Sequence, residues 1–106
     1  MVRALLEMRV RAGQESAFVE TWRGVARLAA AAPGNLRQAL LRDPNDPDRF
    51  VVSTDWRSLQ DFRAFERSPE QDAATAPLRQ LRASASMSVF EVAAAFEGLV
   101  ETRETR

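Results

Sequence analysis

The chain has 106 residues, 15 basic and 15 acidic side chains and a formal net charge of zero. That length is one domain, and the balanced charge leaves no overall positive field to attract nucleic acid or a membrane surface. With no Cys, no His and no Tyr, the chain excludes disulfides, zinc or haem ligation through Cys or His, and any Ser-His-Asp triad. Asp, Glu, Arg and the chain termini remain as acid/base groups. No apolar run approaches the roughly 20 residues of a membrane span, and the opening MVRALLEMRV is too short and too charged for a signal peptide. The expected location is therefore cytoplasmic.

Val2 to Arg11 alternates. Val2, Ala4, Leu6, Met8 and Val10 form an apolar face, and Arg3, Glu7, Arg9 and Arg11 line the other with Leu5. Period-two alternation predicts a half-buried strand. Gly13 breaks it. From Gln14 to about Ala32 the pattern is helical, with Phe18, Trp22, Val25 and Ala29 in one stripe. Trp22 sits mid-stripe and is expected to pack the core. Pro33 and Gly34 end the helix.

Asn35 to Arg42 is a second strand, with Leu36, Gln38 and Leu40 against Arg37, Ala39 and Leu41. The run DPNDPD, Asp43 to Asp48, predicts a solvated hairpin connection. Its aspartates lack the loop glycine and distal Glu of an EF-hand, so no metal site is expected. Arg49 to Phe65 then changes period. Phe50, Val52, Thr54 and Trp56 share one face of a strand. Ser58 is a helix N-cap with Asp61 three residues later, and Leu59, Phe62 and Phe65 follow at helical spacing. Trp56 lies at the joint, where it either lines a pocket or plugs a core.

Ser68-Pro69-Glu70 restarts a helix, and Pro77 is expected to kink or stop it, with Leu78 and Leu81 able to extend a last turn. Ala83 to Phe96 contains a fourth strand, with Ser88, Phe90, Val92, Ala94 and Phe96 on one side. The polar residues 97–106 predict a frayed tail, so the domain spans 1–96. The resulting order, β-α-β-β-α-β, is the ferredoxin-like α+β topology: a four-stranded antiparallel sheet with its helices on one face. Both faces of the sheet are partly apolar, and an uncovered apolar face favours dimerisation. Two sheets meeting face to face would enclose a barrel-like space.

Three pieces carry a family resemblance: R-x-G-Q-E after the first strand, A-x-P-G-N after the first helix, and above all W-x-S-x-x-x-F-x-x-F-x-x-S-P from Trp56 to Pro69. On these the chain resembles the antibiotic biosynthesis monooxygenase family of dimeric α/β-barrel proteins, from about residue 2 to 96. The resemblance implies a homodimer and an oxygenase that needs no metal, flavin or haem. It implies O2 and a small phenolic or anthrone-type aromatic polyketide as substrates. Such a substrate forms an electron-rich anion that can itself reduce O2, so the protein need only bind it, stabilise the anion and position O2.

Carried over by position, Trp56 matches an active-site Trp of the anthrone-oxidising members. Ser53 or an Arg is then expected to stabilise the anion. Phe50, Val52, Phe62, Phe65 and Arg79 are the expected substrate-binding residues. Three departures limit the match. Phe62 stands where those members place a Tyr. The family Asn before the Trp aligns near Val52 or Ser53 and is absent. The family Arg of the later helix aligns near Thr75, with Arg79 one turn further on. The haem-degrading branch needs an Asn, a Trp and a His where this chain has Met8, Phe65 and Thr75, which excludes that activity. Glu7 and Glu91 are candidate bases if burial raises their pKa. A dimeric-barrel polyketide cyclase and a non-catalytic ligand-binding protein are the competing readings.

Overall fold

A computed structural model describes residues 1–98. Four strands and three helices follow in the order β1 (Val2–Val10), α1 (Glu15–Ala30), β2 (Asn35–Asp43), β3 (Asp46–Trp56), α2 (Leu59–Glu66), α3 (Pro69–Leu81) and β4 (Arg82–Glu91). The strands form one antiparallel sheet in the order β2-β3-β1-β4. This is the ferredoxin-like arrangement, with its second helical segment split in two.

Alternation decides which face of the sheet meets the helices. In β1, Val2, Ala4, Met8 and Val10 are buried while Arg3, Glu7 and Arg9 are exposed. The register Val2↔Trp56 to Arg9↔Arg49 puts Phe50, Val52, Thr54 and Trp56 of β3 on the same, helix-facing side. Two apolar clusters fill that side. Met8, Val10, Phe18, Phe50 and Leu78 form one, with Phe18 and Phe50 ring centroids 5.3 Å apart. Val2, Ala4, Trp56 and Phe62 form the other.

The helix ends follow from local chemistry. Ser58 Oγ accepts from the Asp61 N–H, and Ser68 Oγ accepts from the Gln71 N–H, both at 3.1 Å. Each satisfies an orphan donor of the first turn, and Pro69 costs nothing at the first helical position. After α1 the chain reverses through Gly34, whose φ of +85° is open to glycine and strained for other residues.

Three expectations are sharpened. Pro77 does not stop α3, which extends through Leu78 to Leu81. A proline in a helix forfeits one main-chain hydrogen bond, and the next residue, Leu78, is buried in the first cluster and offsets that loss. The connection after β2 is shorter than DPNDPD suggests, because Asp43 still belongs to β2 and Asp46 already opens β3. Asn45 N–H closes the turn on Asp43 Oδ1 at 2.8 Å. The fourth strand ends at Glu91, not Phe96. Its partner β1 has run out: Glu91 pairs with Val2, and the Val92 N–H makes the last bond, to Met1 O at 2.9 Å. Of the expected tail, residues 99–106 lie outside the described residues. Among the described residues, no helix is long and apolar enough to cross a membrane.

Candidate active site

Trp56 ends β3 with its side chain wholly buried on the helix side of the sheet. Its ring lies 5.0 Å from that of Phe65 and 5.9 Å from that of Phe62, centroid to centroid. The helical i, i+3 spacing of these two phenylalanines presents both to the indole. The three rings close one end of a cavity of about 90 Å³ between the sheet and the helices. Leu6, Val52 and Met87 floor it from the sheet, and Trp22, Val25 and Leu78 roof it from α1 and α3.

Five polar side chains, Gln38, Thr54, Glu66, Gln71 and Thr75, interrupt this apolar lining. The Trp56 indole N–H donates to Thr54 Oγ1 at 3.0 Å. Thr54 is two residues back on the same strand face, and its hydroxyl, having accepted, keeps its own proton to donate. Gln38 of β2 donates from Nε2 to Ala26 O at 2.6 Å. Thr75 donates to Gln71 O at 2.9 Å and accepts from Arg79 Nη1 at 2.7 Å. Glu66 is the one carboxylate among the lining residues, and it lies 3.0 Å from Arg63 Nη1.

The residues singled out in the sequence divide by strand face. Trp56, Val52, Phe62 and Phe65 meet in the cavity. Phe50 shares their face but is displaced toward Phe18, where it lines a different, open groove. Arg79 lies outside the cavity and reaches it only through Thr75, with a second contact to Asp72 Oδ1 at 3.4 Å. Ser53 is not brought to Trp56. It pairs with Leu5 and Ala39 on the opposite face of the sheet. Consecutive strand residues point to opposite sides, so nearness in sequence to Trp56 separates the two. Trp22, read as core, packs against the first cluster and also forms a wall of the cavity. Gln38, Thr54, Gln71 and Thr75 carry no sequence signal beyond their position on inward-facing stripes.

The outer face of the sheet is an ion-pair ladder. Asp55, 1% exposed, receives Arg3 Nε and Nη2 at 2.6 and 2.9 Å and Arg37 Nη1 at 3.1 Å. The Arg3 hydrogen bonds hold its carboxyl below the usual aspartate range, outweighing the opposing effect of burial. Arg49 bridges Glu7 and Asp43 at 2.8 and 3.1 Å, and Arg9 pairs with Asp46 and Asp48. The hydrogen bond from Arg49 pushes the Glu7 carboxyl down, not up. Glu7 and Glu91 are both exposed, which removes the burial that a base role required of them. Leu41 and Phe90 stand on this same face, 50% and 53% exposed.

The family model for antibiotic biosynthesis monooxygenases matches residues 1–77. The chain belongs to that family. Protein SchA of Streptomyces halstedii is 25% identical over 77 residues, 73% of this chain and 20% of that protein. The chain thus spans about a fifth of that relative. Among solved structures, a point variant of SnoaB, a cofactor-independent oxygenase from Streptomyces nogalater, superposes with a TM-score of 0.84 at 22% identity, over 92% of this chain and 97% of that one. A candidate antibiotic biosynthesis monooxygenase from Nitrosomonas europaea gives 0.80 at 20% identity, covering 89% and 100%. At these identities the superpositions establish the fold.

Proposed function

We propose that this protein is a cofactor-independent monooxygenase that oxidises a phenolic or anthrone-type aromatic polyketide with O2, as a homodimer in the cytoplasm. The observation that carries the proposal is the Trp56 cavity. It lies between sheet and helices, is lined by aromatic and aliphatic side chains and carries a few oriented polar groups, the kind of lining that ligand sites have. Family membership and the SnoaB fold support the same reading.

The chemistry asks little of the protein. Loss of a proton from the substrate, to Glu66 or to water, leaves an anion delocalised over the rings. The Thr54 hydroxyl, oriented by the Trp56 indole, donates to the oxygen on which that charge collects, and the surrounding apolar wall strengthens the interaction. One electron passes from the anion to O2, and the resulting radical and superoxide combine to a peroxide at carbon. Loss of water then leaves a ketone, so that CH2 and O2 become C=O and H2O. Phe62 and Phe65 hold the ring against Trp56, and Val52 supports it from the sheet.

Leu5, Ala39, Leu41, Val51 and Phe90 on the outer sheet face supply the apolar surface for the homodimer. The test is O2 uptake and quinone absorbance on incubation with a panel of anthrones and naphthols. Enzyme-dependent O2 uptake is expected. Turnover that persists without O2 would favour a cyclase, and binding without turnover would favour a ligand carrier.

A further inference from the structure

The cavity's volume of about 90 Å³ falls below the roughly 300–1,000 Å³ of typical ligand sites. A two- or three-ring ligand must therefore displace part of the wall, and two walls have open space behind them. Phe65 separates the cavity from a groove of about 270 Å³ whose rim carries Asp61 and Glu70. Trp22 and Gln38 separate it from a groove of about 410 Å³ over the seam between α1 and the edge strand β2.

Charge distinguishes the two. An anionic ligand is repelled by the carboxylates of the first groove. The second has an apolar floor, which includes Leu40 and Phe50, and two guanidinium groups, Arg23 and Arg42. Arg42 lies over the Phe50 ring at 5.2 Å, and its Nε–H donates to Pro47 O at 2.9 Å. Among the described residues Arg42 has no carboxylate within ion-pair distance. Arg23 meets Glu20 at 3.2 Å, but both are largely exposed, and such a pair exchanges readily for a better anion. Gln38 spans the seam through a hydrogen bond from Nε2 to Ala26 O on α1.

We propose that the α1–β2 groove is a second subsite of the ligand site, taking an anionic substituent, carboxylate or phenolate, on an aromatic lying toward the Trp22 and Met8 end of the cavity. Gln38 is the latch between the two compartments. This inference rests on the reading of the Trp56 cavity as an aromatic-binding site.

Calorimetric titration of the full chain at pH 7 with 2-naphthol and with 3-hydroxy-2-naphthoate tests it. The carboxylate is expected to bind about tenfold tighter, as a charge-assisted contact to Arg supplies, and added salt should erode that gain. In the Arg23→Gln, Arg42→Gln double variant the two ligands should converge to within about twofold. The latch predicts faster association of both ligands with Gln38→Leu, followed by stopped flow. If 2-naphthol binds but the carboxylate has no advantage, or keeps it in the double variant, the subsite is wrong and the cavity reading stands. If neither ligand binds, both fall. An unchanged association rate in Gln38→Leu overturns the latch.

Discussion

Asp55 and Trp56 are consecutive, both buried, and face opposite sides of the sheet. Trp56 closes an apolar cavity under the helices. Asp55 lies on the outer face beneath Arg3 and Arg37, which come from the strands on either side of β3. One dipeptide therefore ties the candidate site to the face proposed for dimerisation.

Asp55→Asn should cost about 1–3 kcal/mol at pH 7, because the amide keeps one acceptor oxygen but loses the charge and turns an NH2 donor toward a guanidinium. Folding lowers the Asp55 pKa, so the folded chain binds fewer protons there than the unfolded chain. The stability it supplies is complete above roughly pH 3.9, the ordinary aspartate value, and is lost as pH falls through the lower folded value. Urea unfolding at fixed protein concentration, at pH 7 and pH 3, should show the gap between wild type and variant narrowing at acid pH. A gap that widens on acidification would contradict this account.

Gly34→Ala should destabilise by about 1–3 kcal/mol. The added Cβ would run into the Asp61 carboxylate and lie 2.6 Å from Asp61 Cβ, at a φ of +85°. Thermal unfolding of Gly34→Ala beside the Gly34→Ala, Asp61→Ala double variant separates the two causes. Partial recovery in the double variant identifies the carboxylate contact, and no recovery assigns the cost to the backbone and to the Asp61 Cβ, which alanine keeps.

Thr54→Val keeps shape and volume while removing the hydroxyl that the Trp56 indole orients. Loss of a hydrogen bond to a charged group predicts about a 10- to 100-fold fall in kcat/KM for a phenolic substrate. Thr54→Ser should recover most of it. Equal activity of the Val and Ser variants would remove Thr54 from the anion site.

The outer face carries Leu41 and Phe90 in exposed positions. Leu41→Glu with Phe90→Glu should place unpaired charge in the dimer contact and shift the protein to monomer in sedimentation equilibrium. A dimer that survives both changes is built on another surface.

Sequence periodicity reveals the scaffold more readily than the void inside it. The alternation of β1 and of Phe50 to Trp56 specifies the inner face, and the Trp56, Phe62 and Phe65 cluster follows from one strand end meeting one helix spacing. The same alternation already separates Ser53 from Trp56. Gln38 and Thr75 are different. A polar residue on an inward stripe reads as a tolerated exception until the gap it borders is known. The burial of Asp55 depends on Arg3, 52 positions away, and Arg37, 18 positions away, arching over it. No local pattern encodes such a pairing. The end of β4 depends on where β1 begins, which is equally remote in sequence.

Oxygen labelling reads the proposed monooxygenase reaction directly. The protein, an anthrone and 18O2 are incubated together, and the quinone is analysed by mass spectrometry. One labelled oxygen is expected in the product, formed at a protein-dependent rate that falls sharply in Trp56→Phe. Quinone formation no faster than in buffer across a panel of anthrones, or product oxygen drawn from water at first formation, would contradict it.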